Sequence, residues 1–193
     1  MSFRLGTLQS ILNTRLKPLI PQLEQQIGLT VTIGHSTDLF EDLLSGRFDA
    51  VFAIDRPQSE EVGRANAVAE QVMLIYPDAH CPVDSQSDLQ DLPFVTFAEG
   101  CSYRKRGLSW MAEAGLAPIA VEVVPTYPDI IRKVVDGQGF GAIPGSVLAA
   151  SPMKTNVQAD PIQGPNGKVW VELLWRKDAD PKAVEAIRKA MGF

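Results

Sequence analysis

At 193 residues, 45% hydrophobic and 21% charged, the chain is long enough to bury a sizeable core, as one large domain or two small ones. A formal net charge of −5 leaves no basic excess that would advertise nucleic-acid binding, with local basic patches still open. Cys81 and Cys101 fit no zinc or thioredoxin spacing, no apolar leader opens the chain, and no apolar run approaches a membrane span. A soluble, cytoplasmic protein with reduced thiols and no membrane partner is therefore expected.

Phe3 to Leu8 is a short apolar run and reads as the first strand. Leu12, Leu16, Leu19, Leu23 and Ile27 follow at the spacing of one helix face, disturbed by Pro18 and Pro21, so that this helix starts late or bends; Gly28 stops it. Leu29 to Gly34 is rich in β-branched residues and predicts a second strand. His35, Ser36, Thr37 and Asp38 offer N-caps to a helix with Leu39, Phe40, Leu43 and Leu44 on its apolar face, ended by Gly46. Phe48 to Ile54 is an unbroken apolar strand of the kind covered on both faces. Asp55 to Ala69 reads as polar loop, and Gln71 to Tyr76 as strand.

Pro77 and Pro82 flank a break, where the first domain crossing is expected. A short helix over Ser85 to Leu92, a strand over Phe94 to Phe97 and a helix over Tyr103 to Ala114 follow. Ile119 to Val124 reads as strand, and Thr126 can cap a helix over Asp129 to Val135. Phe140 to Ile143 is a strand, a short helix runs to Ala150, and Ser151 to Gly167 is mainly loop with a short strand near Val157. Val169 to Trp175 and Asp180 to Met191 are the last strand and helix. The strand–helix alternation predicts an α/β fold with parallel sheets and helices on both faces.

Ligands of open α/β sheets bind beyond the carboxyl ends of the strands. Those ends supply Thr7 to Ser10, then His35, Ser36 and Thr37, then Gly100, Cys101, Ser102 and Tyr103, then Thr126. Small hydroxyl residues at four helix starts are either routine caps or a rim of donors for a small anion, and the sequence leaves both open. Arg104, Lys105 and Arg106 follow in succession. Helical residues turn by about 100° each, so the three cannot face one ligand; Arg104 is the expected inward cation, with Lys105 and Arg106 solvated or at a protomer contact. Catalysis finds little support: His35 and His80 are isolated, no Gly-x-Ser-x-Gly elbow or metal-ligand spacing occurs, and no cofactor or metal is expected. Gly137-Gln138-Gly139-Phe140-Gly141 lies between a helix and a strand, the reverse of a dinucleotide loop, and reads as a helix stop and turn. Cys101 is either a reactive thiol at a helix start or a small buried residue.

Four segments together resemble the effector-binding domain of LysR-type transcriptional regulators. They are Phe3-Arg4-Leu5-Gly6-Thr7-Leu8 with the later Leu16-Lys17-Pro18-Leu19, then Gly46-Arg47-Phe48-Asp49-Ala50, then Gly100-Cys101-Ser102-Tyr103-Arg104, then Gly137 through Pro144. The resemblance covers nearly the whole chain. It implies two Rossmann-like subdomains joined by two crossing strands, like a type 2 periplasmic binding protein, with residues 1–76 plus 172–193 as subdomain I and 77–171 as subdomain II. It implies a small-molecule effector between them, contacted at Ser10, at Ser36 or Thr37, at Gly100, Cys101, Ser102 and Tyr103, and at Thr126; with Thr7 at the strand end and Arg104 as the inward cation, these are the expected site for a carboxylate or other small anion. It also implies a homodimer, with a tetramer in the full-length protein. Family members carry an N-terminal winged helix–turn–helix and linker helix that this chain lacks, so DNA would be a partner only through that part. The peroxide-sensing branch of the family has its reactive cysteine opposite Ser102, and the partner cysteine is missing here. The alternatives are a solute-binding protein or an enzyme on the same fold, with redox sensing through Cys101 less favoured.

Overall fold

The computed structural model describes residues 2–193, which divide into two compact units, 2–69 with Trp170–Phe193, and Glu70–Val169. The chain passes between them twice, along strands β4 (Val62–Pro77) and β9 (Lys168–Arg176).

In the first unit, β1 (Phe3–Thr7) pairs in parallel with both β2 (Leu29–Ile33) and β3 (Ala50–Ile54), and β9 runs antiparallel to β3. The strand order is β2-β1-β3-β9. The antiparallel β9 departs from the all-parallel expectation: it enters from the other unit rather than through a local crossover helix, so nothing forces it to run with its neighbour. Every residue of β3 is buried, as its unbroken apolar sequence predicts. Leu39 and Leu43 of α3 (Ser36–Leu44) and Ala183, Val184 and Ile187 of α7 (Pro181–Met191) are buried with it. At about 25 cal/mol per Å2 of buried apolar surface, side chains such as Phe52 and Leu5 contribute roughly 2 kcal/mol each. Gly6 lets α3 approach β1 closely, since a Cβ there would lie 2.7 Å from Leu39 Cδ2.

Residues 9–27 form one run of changing helical type. A single turn, α1 (Gln9–Ile11), widens into a π segment over Leu12–Leu16, tightens into a 3-10 turn over Lys17–Leu19, and settles into α2 (Ile20–Ile27). Pro18 and Pro21 cause this: each lacks an N–H, and its ring crowds the carbonyl four residues back, so the regular ladder cannot pass. The expected bend is thus a sequence of ladder shifts, and Gly28, at φ 62°, ends the run as predicted.

In the second unit, β4 runs antiparallel to β7 (Gly141–Pro144) and to β8 (Val157–Pro161), and β5 (Phe94–Thr96) pairs in parallel with β6 (Val121–Val123). A bridge between Phe94 and Phe140 connects the two groups, and the two rings meet at 5.2 Å. Helix α4 (Ser102–Glu113) seats Gly107 on this sheet, where a Cβ would lie 2.4 Å from the Phe94 ring and 3.0 Å from Ala142. Helix α5 (Tyr127–Val135) buries Ile130, Ile131 and Val134, and the short α6 (Gly145–Ala150) buries Val147 and Leu148. Two sequence expectations fail. Residues 62–69 belong to the 16-residue β4, not to a loop. Of the helix predicted over Ser85 to Leu92, a 3-10 turn over Gln86–Leu89 forms, closed by a capping box between Ser85 and Asp88.

Candidate functional site

The question left open by the sequence, caps or ligand donors, is decided hydroxyl by hydroxyl. Thr126 is a cap: its Oγ1 accepts from Asp129 N at 3.3 Å and donates to Asp129 Oδ2 at 2.5 Å. Its hydroxyl is committed to α5. The other helix starts differ. The N-caps of α1, α3 and α4 are Leu8, His35 and Cys101, and none makes a side-chain cap bond. The hydroxyls beside these helix starts therefore do not cap them, and at α4 the Tyr103 and Arg104 amides turn to the Cys101 thiol instead.

In the first unit, the carboxyl ends of β1, β2 and β3 lie side by side. Thr7 ends β1 and is fully buried; its hydroxyl reaches only its neighbour's carbonyl, Leu8 O, at 3.4 Å. Ser36 does not cap α3 but accepts a hydrogen bond from Ile54 N at 3.1 Å, tying the start of α3 to the end of β3. Because β1 lies between β2 and β3, this bond crosses the end of β1. Ser10, in α1 just after β1, is 1% exposed, and its Oγ has no hydrogen-bond partner. Leaving a buried hydroxyl unpaired costs about 1–3 kcal/mol, so such a group calls for an explanation.

Sequence reasoning missed Arg56 here. Its Nε donates to Ile54 O at 2.9 Å and its Nη1 to Thr37 Oγ1 at 3.1 Å, so the guanidinium is drawn over the end of β3 toward the start of α3. Asp55, with φ 56°, makes the turn that brings it there, in the left-handed region that non-glycine residues rarely occupy. Arg64 supports the loop from below, donating to Pro57 O at 2.7 Å and pairing with Glu172 at 3.3 Å.

In the second unit, Gly100 adopts φ 89° and turns the chain from β5 into α4, placing Cys101, Ser102 and Tyr103 in buried positions at the helix start. Phe97 and Tyr127 stack edge to face at 4.8 Å beyond the ends of β5 and β6. Arg104, the expected inward cation, donates from Nη1 to Phe97 O at 3.1 Å, with Nη2 3.9 Å from Glu99. Its guanidinium thus braces the β5–α4 turn. Arg106 is not simply solvated: its Nη1 donates to Pro165 O at 2.9 Å and holds the 164–166 turn against α4. Lys105 is exposed, as expected. Burial pushes the Cys101 thiol above its ordinary pKa, against the opposing pull of the Arg104 and Tyr103 amides and the Arg104 charge, so the thiolate is disfavoured. Cys81, by contrast, is exposed. Among the described residues no group of His, Cys, Asp and Glu could hold a metal ion, and no helix is long and apolar enough to cross a membrane.

Residues 1–192 match the family model described as the LysR substrate binding domain. The "HTH-type transcriptional regulator SoxR" of Arthrobacter sp. (strain TE1826) is 23% identical over 98% of this chain and 66% of its own length. The chain spans between 52% and 66% of the length of such curated relatives, which are named as transcriptional regulators rather than enzymes. Among solved structures, the effector-binding domain of a BenM variant superposes with a TM-score of 0.79 at 17% identity, covering 98% of this chain and 92% of that one. The BenM effector-binding domain with its effector benzoate gives 0.76 at 17% identity, covering 98% and 90%. These likenesses establish the fold, that of the periplasmic-binding-protein-like effector domains. On the strength of the family match over nearly its whole length, the chain belongs to the LysR substrate binding domain family.

Proposed function

We propose that this chain is the effector-sensing part of a cytoplasmic transcriptional regulator, that its effector is a small anionic metabolite, and that its two units act as the two subdomains that close on it. The observation that carries this reading is the buried, unpartnered Ser10 hydroxyl at the end of β1, beside helix starts that no side chain caps. Ser102, buried at the start of α4, supplies the second subdomain's donor. BenM, a structural neighbour, carries benzoate as effector, and a carboxylate is the chemistry such donors suit. Effector binding favours one closure of the subdomains, by no more than the difference in affinity between the closed and open states. DNA binding belongs to another part of the regulator, which curated relatives name as HTH-type.

Closure is read out through the packing of a homodimer. Edge strand β6 exposes Val121 and Val123, and Ile119 (67% exposed), two residues before it, continues the same alternation, an apolar strip suited to a second copy. A thermal-shift screen of small carboxylates, repeated on Ser10→Ala and Ser102→Ala, tests the reading. Stabilisation of the parent chain that both variants lose is expected; stabilisation that neither variant alters would remove these residues from the site.

A further inference from the structure

Arg56 carries the inference furthest, because it is a cation the sequence pattern did not single out and its place is built rather than incidental. Its guanidinium has five N–H donors. Two atoms are engaged, Nε with Ile54 O and Nη1 with Thr37 Oγ1. Both acceptors are neutral, so neither cancels the charge, and the Nη2 donors have no acceptor among these bonds. The residue is half-buried, which limits screening by water. Its carbonyl side is fixed as well, since Arg64 Nη1 lies 3.5 Å from Arg56 O and Arg64 Nη2 holds the next carbonyl. The strained Asp55 and the Arg64 clamp together hold Arg56 at the ends of the strands where Ser10 and Thr37 stand.

Arg104 does not fill this role equally well, because its own guanidinium braces the Phe97 carbonyl beside Glu99. Arg64 is ruled out by its ion pair with Glu172. We infer that Arg56 is the charge-recognising residue of the effector site, taking the carboxylate of a small organic acid through Nη2, while Thr37 orients the guanidinium and the Ser10 hydroxyl donates to the same ligand. This rests on the reading of the chain as an effector-binding domain and names the residue that sets the ligand's charge class.

The test is an NMR titration of the 193-residue chain with benzoate and, in parallel, with benzamide, which keeps the ring and replaces the carboxylate by a neutral amide. Benzoate is expected to move the amide signals of Ser10 and Thr37 and the Nε signal of Arg56, and benzamide to leave them in place. Arg56→Gln should weaken benzoate at least about tenfold, the loss of a charge-assisted hydrogen bond, while Arg56→Lys, which keeps the charge, loses less. If benzoate moves the Ser10 and Thr37 signals as strongly in Arg56→Gln as in the parent, the site stands and Arg56 is not its cation. If benzamide binds as well as benzoate, charge recognition there is overturned. If neither benzoate nor sulfate moves these signals, the Arg56 assignment falls; an uncharged metabolite that does move them would leave the effector reading intact.

Discussion

Two buried serines at neighbouring strand ends should respond in opposite ways to the loss of their hydroxyls. Ser36 and Ser10 are each 1% exposed. Ser36 Oγ accepts from Ile54 N, and Ile54 is fully buried, so Ser36→Ala leaves that N–H without its acceptor and detaches the start of α3 from β3. The cost should be about 1–3 kcal/mol, the usual penalty for orphaning a buried donor. Ser10 Oγ has no partner to orphan. Ser10→Ala removes a desolvated hydroxyl and should leave stability unchanged or raise it by up to about 1 kcal/mol, while lowering effector affinity. Urea unfolding of the effector-free chain, followed by the fluorescence of Trp175 in the first unit, measures both. A Ser10→Ala loss as large as that of Ser36→Ala would show that the Ser10 hydroxyl is structural and would refute the argument that it waits for a ligand.

Helix α4 lies close to its sheet at Gly107, so Gly107→Ala should cost about 1–3 kcal/mol through overpacking against Phe94, read as a lowered midpoint in thermal unfolding; an unchanged midpoint would mean that α4 shifts freely. In the native chain, exposed Cys81 should react with a thiol-specific disulfide reagent far faster than buried Cys101, whose thiol burial holds above its ordinary pKa; similar rates would revive redox sensing. Asp49 accepts from Arg4 N at 2.8 Å and pairs with the Arg4 guanidinium at 2.7 Å. Burial works to raise the Asp49 pKa, but the Arg4 hydrogen bonds outweigh it and hold it below the ordinary value. A carboxylate with a depressed folded pKa stabilises above its unfolded pKa and loses that contribution as pH falls through the folded pKa. Asp49→Asn should therefore cost at most about 1 kcal/mol at neutral pH, because solvent screens the half-exposed Arg4, with the difference vanishing in acid; a constant difference across pH would contradict the assignment.

How far the sequence could be read depended on how local each cause is. The runs at Phe3 to Leu8 and Phe48 to Ile54 declared their strands because burial on both faces demands unbroken apolar sequence, and β3 is buried throughout. The first half of β4 was hidden because it is half-exposed and alternates small and polar residues, Gly63, Arg64, Ala65 and Asn66, which read as loop. Thr126 and Ser10 looked alike in sequence, small hydroxyls at helix starts. What separates them is whether a partner is present, which only the folded chain decides. Arg56 was passed over for a related reason: a single arginine after a strand looks solvated, and Thr37, which fixes it, lies 19 residues away. The π and 3-10 segments at 12–19 follow from Pro18 and Pro21, which foretold a disturbance but not its form.

The most direct test of the proposed function is a crystal structure of the chain with the carboxylate that stabilises it most in the thermal-shift screen. The account predicts density for one anion within hydrogen-bonding distance of Ser10 Oγ and Arg56. An anion bound elsewhere on the molecule, with Ser10 Oγ still unpaired, would contradict it.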